Sequence, residues 1–171
     1  SLGGAALADL VRRVAGGLRQ AGVGRGDSVL LIGPNSSAWV VARLAVALLD
    51  AVVVACDDQA GPAEVAAIAR DAGARLAFAS LAHARQVRAA AGCAVYLLQD
   101  DAADGFTGWR QLVADSPLPQ MEAPAAADGT MVVYTSGTTG APKSFVLSHG
   151  NVAANVEALL AEKVIGRHDR V

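Results

Sequence analysis

The run Tyr134-Thr135-Ser136-Gly137-Thr138-Thr139-Gly140-Ala141-Pro142-Lys143 gathers hydroxyls, glycines and a lysine into one short stretch. Apolar, strand-like residues flank it: Met131-Val132-Val133 before and Phe145-Val146-Leu147 after. That composition suits a polyphosphate. Glycines let backbone N–H groups approach anionic oxygens, hydroxyls donate further hydrogen bonds, and a lysine supplies a point charge. The lysine is itself uncommon here, because only Lys143 and Lys163 among 14 basic residues are not arginine.

A Walker A loop is the first alternative, and the residue order excludes it. That motif needs glycine directly before a lysine that opens a helix. Here Pro142 precedes Lys143, lacks an N–H and biases Ala141 toward extended backbone. The β-branched and aromatic residues after Lys143 predict a strand. The expected geometry is strand–loop–strand. A solvated turn is the plain alternative for any Ser/Thr/Gly cluster.

The ten-residue string is more specific than such a cluster. Together with Leu147-Ser148-His149-Gly150-Asn151-Val152, it resembles the phosphate-binding motif of AMP-forming adenylating enzymes. These are the acyl-CoA synthetases, luciferases and adenylation domains of peptide synthetases. Upstream, Ala21-Gly22-Val23-Gly24-Arg25-Gly26-Asp27-Ser28-Val29 is similar to the family's approach to its first strand. Pro34-Asn35-Ser36-Ser37-Ala38-Trp39 resembles the turn that follows, so the likeness covers nearly the whole chain.

The resemblance implies an ATP-dependent ligase for a carboxylic acid, a fatty acid being expected, that acts through an acyl-adenylate. It implies that Thr135, Ser136, Gly137, Thr138, Thr139 and Gly140 wrap the β- and γ-phosphates of ATP. Lys143 offsets their charge and Pro142 stiffens the loop exit. Mg²⁺ is the implied metal and coenzyme A the implied thiol. No catalytic residue and no metal ligand is assigned in this chain, whose expected partners are the acid, ATP, CoA and the rest of its own polypeptide. Two departures point to a divergent subfamily. Ser144 stands where the family usually has glycine, and Asp50-Ala51-Val52-Val53-Val54-Ala55-Cys56-Asp57 differs from the usual Gly-Ala-Val-x-Val-Pro-Leu-Asp. An amino-acid-activating adenylation domain and a non-catalytic nucleotide-binding homologue share the loop and stay open as readings.

Composition bounds the rest. Hydrophobic residues make up 53% of 171 and charged residues 18%, which describes a globular chain with a real core. A net charge of −2 without a basic cluster gives no footprint for nucleic acid. Cys56 and Cys93 lie far apart with no ligand spacing and read as small buried thiols of a reducing, cytoplasmic setting. The apolar stretch from Ala38 to Cys56 is interrupted by Arg43 and Asp50 and reads as a buried helix and strand, not a membrane span.

The elements that must position the loop follow from periodicity. Apolar residues at helical spacing predict a helix over 5–20, stopped by Gly22 and Gly24. Strands are expected at 28–32, 51–56, 76–79 and 94–98, with helices from a Ser36 or Ser37 cap to about Leu49, from Pro62 to about Ala72, and over 82–91. Continuous apolar strands separated by helices predict an α/β fold: a mostly parallel sheet flanked by helices, buried on both faces, forming part of the larger N-terminal domain of an acyl-CoA synthetase-like fold. Residues 1–98 are the βα repeats. Residues 99–129, rich in Asp and Pro, are expected to run over the surface, and 130–171 hold the loop hairpin and a helix. The chain is expected to be a fragment, cut where another strand begins. Gly22-Val23-Gly24-Arg25-Gly26 follows a helix and is a terminator rather than a dinucleotide fingerprint. Asp57-Asp58 and Asp100-Asp101 read as solvated strand ends, and His149 as a cap or surface hydrogen bond, with an indirect role in placing the loop as the alternative.

Overall fold

The computed structural model describes residues 3–119, 124–135, 143–162 and 164. Ser28–Ile32 (β1), Val52–Cys56 (β2), Leu76–Ala79 (β3), Ala94–Leu97 (β4) and Thr107–Gly108 (β5) form one sheet with Gly129–Thr135 (β6) and Lys143–Ser148 (β7). The order is β5-β4-β3-β1-β2-β6-β7, and every neighbouring pair is parallel except β6–β7. Helices Gly4–Gln20 (α1) and Ser37–Leu48 (α2) pack on one face. Helices Pro62–Asp71 (α3) and Leu81–Ala91 (α4) pack on the other, which makes the sheet doubly wound. A fifth helix, His149–Ala161 (α5), follows the hairpin.

Alternation along β1 shows why its run is apolar throughout. Val29 and Leu31 join Val14, Leu18, Val41 and Phe78 beneath α1 and α2. Leu30 and Ile32 join Val65, Ile68, Val87 and Leu97 beneath α3 and α4. Burial on both faces removes the polar half of the usual strand pattern. Ser36, not Ser37, caps α2, its hydroxyl accepting from Trp39 N at 3.1 Å. α2 is less enclosed than its composition suggests: Val40 and Leu44 stay exposed on its outer side.

Residues 99–129, expected to run over the surface, do so only in part. They add β5 beside β4 and a 3₁₀ turn, Trp109–Leu112, and send Phe106, Trp109 and Leu112 into the core. Trp109 Nε1 donates to Asp100 Oδ1 at 2.8 Å, and Arg110 pairs with Asp100 at 2.6 Å. Asp100 is therefore a structural partner rather than a merely solvated strand end. The segment is strapped to α1, where Arg12 Nε donates to the Leu118 carbonyl at 2.6 Å.

Close approach explains one mid-helix glycine. A Cβ on Gly17 would lie 1.9 Å from the Leu112 carbonyl oxygen, so α1 can rest on the 3₁₀ turn only without a side chain there. Gly22 ends α1 with φ 87°, as a helix terminator should.

Candidate functional site

The hairpin's geometry follows from its two strands. β6 lies parallel to β2, with Val53 opposite Met131 and Ala55 opposite Val133. Its Thr135 end therefore emerges at the carboxyl edge of the parallel strands, the side on which open α/β sheets bind ligands. β7 returns antiparallel, setting Ser144 opposite Tyr134 and Lys143 opposite Thr135. Lys143 begins a strand, as expected, and its side chain is exposed to solvent. A helix would follow this lysine in a Walker A loop, so that reading is excluded by structure as well as by sequence.

The structure thus brings Thr135 and Lys143 together as the closing rung of the hairpin. Ser136, Gly137, Thr138, Thr139 and Gly140 lie outside the described residues, as do Ala141 and Pro142.

Tyr134 is the described side chain that ties this end of the hairpin to the body of the fold. It packs with Val132 against the α3–α4 core, and its hydroxyl donates to Asp71 Oδ2 at 2.5 Å. Burial, then the Asp71 hydrogen bond and charge, and finally Cys56 push its phenol up to about 12. Ala67, Arg70, Asp71 and Tyr134 line an open depression of about 470 Å³ at this junction. Asp71 was not legible as a site residue, because 63 positions separate it from Tyr134 and no local pattern marks it.

A second depression, about 350 Å³, lies at the carboxyl ends of β1 and β2, with Pro34, Asn35, Cys56 and Asp58 among its walls. Its thiol is not an activated nucleophile. Burial, with the charges of Glu64 and Asp57, pushes Cys56 up to about 11. Asp58 is held by His83, whose Nε2 lies 3.4 Å from Asp58 Oδ1 and 3.1 Å from the Asp58 carbonyl oxygen. Asp57 Oδ1 accepts from Gln59 N at 2.9 Å. Asp57 therefore serves the β2–α3 turn, and Asp58 ties that turn to α4. Cys93, expected to be buried, is only half-buried.

His149 does not cap α5. Ser148 does, accepting from Asn151 N at 3.1 Å while Asn151 Oδ1 accepts from Ser148 N at 3.0 Å, a reciprocal capping box. His149 N donates to the Asp128 carbonyl at 3.0 Å, anchoring the helix start to the turn before β6. Among the described residues no group of three His, Cys, Asp or Glu side chains is placed to hold a metal ion. No described helix is long and apolar enough to cross a membrane.

The family profile of AMP-binding enzymes matches residues 1–171. The chain belongs to that family. It is 35% identical over 153 residues to 4-coumarate–CoA ligase 5 of Oryza sativa subsp. japonica, covering 88% of this chain and 28% of the relative. It is 34% identical over 174 residues to a feruloyl-CoA synthase of Amycolatopsis, covering 98% of this chain and 33% of the relative. In structure it resembles ATP-bound MatB from Rhodopseudomonas palustris, with a TM-score of 0.79 and 27% identity over 92% of this chain and 31% of that one. The chain thus spans about a third of the length of the proteins it matches, and its sheet has the architecture of their N-terminal domains.

Proposed function

We propose that the full-length protein is an AMP-forming acid–CoA ligase, and that the Thr135–Lys143 connection holds the β- and γ-phosphates of its ATP. The observation carrying this reading is the family match over residues 1–171 joined to a hairpin that opens at the carboxyl edge of the sheet, with Lys143 free in solvent opposite Thr135. In the first step a carboxylate oxygen attacks the α-phosphorus of ATP and pyrophosphate leaves, giving an acyl-adenylate. In the second, the CoA sulfur attacks the acyl carbon and AMP departs. Negative charge grows on the pyrophosphate leaving group, and a fixed ammonium stabilises that charge more than it stabilises bound ATP. This chain's residues grip the phosphate tail; none is assigned to adenine, ribose or the acyl group. Mg²⁺ would arrive with the nucleotide, and no residue of this chain is assigned to hold it.

The similarity to 4-coumarate and feruloyl ligases moves the proposed acid from the fatty class to the aromatic hydroxycinnamate class. Pyrophosphate exchange by the full-length enzyme, run against hydroxycinnamic, long-chain fatty and amino acids, tests this. Hydroxycinnamic acids should drive exchange most strongly. Exchange driven by amino acids alone would replace the proposal with a carrier-protein-loading adenylation domain. Lys143→Ala should slow exchange on the order of 10²–10³-fold, the typical loss for one preorganised donor. Unchanged exchange would remove the role given to Lys143.

A further inference from the structure

Asp71 closes α3 at a place where a carboxylate is electrostatically disfavoured. The last turn of a helix carries partial negative charge and stabilises cations. Arg70 obeys that rule and Asp71 does not. What Asp71 gains is the phenol of Tyr134, whose 2.5 Å O–H···O contact has the length of a charge-assisted hydrogen bond.

The strand ladder shows why a tie is useful there. β2 pairs with β6 from Met131 to Val133 and no further. Tyr134 and Thr135 are then paired on one side only, with β7, the edge strand of the sheet. An edge pair is the part of a sheet that opens most readily. The Tyr134 hydroxyl replaces the missing ladder with a bond to α3, which is itself fixed by buried Val65 and Ile68. We infer that Asp71 is a positioning residue for nucleotide binding: acting through Tyr134, it holds the end of β6 in place and so sets where Lys143, opposite Thr135, meets the phosphates. This rests on the phosphate role proposed above for Lys143.

The test uses the full-length enzyme and five variants: Asp71→Ala, Asp71→Asn, Tyr134→Phe, the Asp71→Ala/Tyr134→Phe double, and Lys143→Ala as reference. Asp71→Ala and Tyr134→Phe should each raise the KM for ATP in pyrophosphate exchange about two- to fivefold, the scale of one hydrogen bond to a charged group that water also reaches. The KM for the carboxylic acid and the thermal midpoint should stay near wild type. The double variant should be no worse than either single, since both remove one bond. Asp71→Asn keeps an acceptor for the phenol and should recover most of the loss. Additive effects, or KM values for ATP and acid rising together as the thermal midpoint falls, would mean a general structural tie and overturn the inference. So would wild-type KM for ATP in the single variants when Lys143→Ala is impaired; the phosphate reading would then survive alone. An unimpaired Lys143→Ala would remove both.

Discussion

Cys56 and Cys93 bring the same functional group into different surroundings, and their reactivity should separate accordingly. Burial and the nearby charges of Glu64 and Asp57 push the Cys56 thiol up to about 11, and 7% of its surface is accessible. A free thiol titrates near 8.5, so at pH 8 the thiolate population of Cys56 is lower by a factor on the order of 10². Burial raises Cys93 as well, but that side chain is less enclosed than Cys56. Brief alkylation at pH 8 followed by peptide mass analysis should find Cys93 modified well before Cys56, with the difference erased in denaturant. The sign for stability follows from the same shift. Folding favours the protonated thiol, so this contribution is complete below the unfolded pKa and is lost as pH rises through about 11. Equal labelling of the two thiols in the native protein would contradict the placement of Cys56. At this scale the sequence was informative about residue types and silent about partners. Ser148, Asn151, His83, Asp58 and Asp71 are ordinary polar residues until the fold sets them together.

Elements were legible where burial is two-sided and obscure where it is local. Four apolar runs stood out as strands because both sheet faces are covered, so nothing polar interrupts them. β5 has two residues, Thr107 and Gly108, and leaves no pattern to read. The surrounding Asp and Pro residues made 99–129 read as a surface excursion; the short amphipathic piece around Trp109 to Val113 was legible and is the 3₁₀ turn, but the burial of Phe106 was not. A general core tendency for apolar residues cannot show which of them a polar segment will bury. α5 is a helix, as its sequence indicated, and its surroundings are the part that composition does not show. It is apolar in composition, yet none of its described side chains is buried, and Val156, Leu159 and Leu160 are exposed. The contact between α1 and the 3₁₀ turn gives an element-scale prediction. Glycine inside a helix costs about 1 kcal/mol relative to alanine, so an alanine normally stabilises. At Gly17 the added methyl would meet the Leu112 carbonyl oxygen at 1.9 Å, and Gly17→Ala should instead destabilise by about 1–3 kcal/mol, the range for overpacking. Gly4→Ala, in the same helix with nothing within 4 Å, is the control and should be neutral or slightly stabilising. Urea denaturation of both variants distinguishes the cases. Equal stabilities would mean that α1 does not rest on the turn as described.

On the scale of the whole molecule, the sheet is covered by a core on each face, and the proposed phosphate contacts lie at its margin. The β6–β7 hairpin stands at the sheet's margin, with β7 as the edge strand, where Phe145 is 55% and Val146 65% exposed. Lys143 is likewise exposed, so water and salt screen its charge. Proximity and orientation of two substrates contribute roughly 7–11 kcal/mol to such reactions, and that contribution requires a complete site for each. Here neither the nucleoside nor the acid has an assigned contact. The 171-residue chain alone should therefore bind Mg-ATP no more tightly than about millimolar, near −4 kcal/mol, and should catalyse no pyrophosphate exchange. Titration calorimetry over a range of salt concentrations tests the first half, and the heat should diminish as salt rises if phosphate contacts carry it. An exchange assay beside the full-length enzyme tests the second. Micromolar binding by the 171-residue chain, or exchange above background, would show that these residues hold nucleoside or acid contacts beyond the hairpin, and would move the site toward the depression at the ends of β1 and β2.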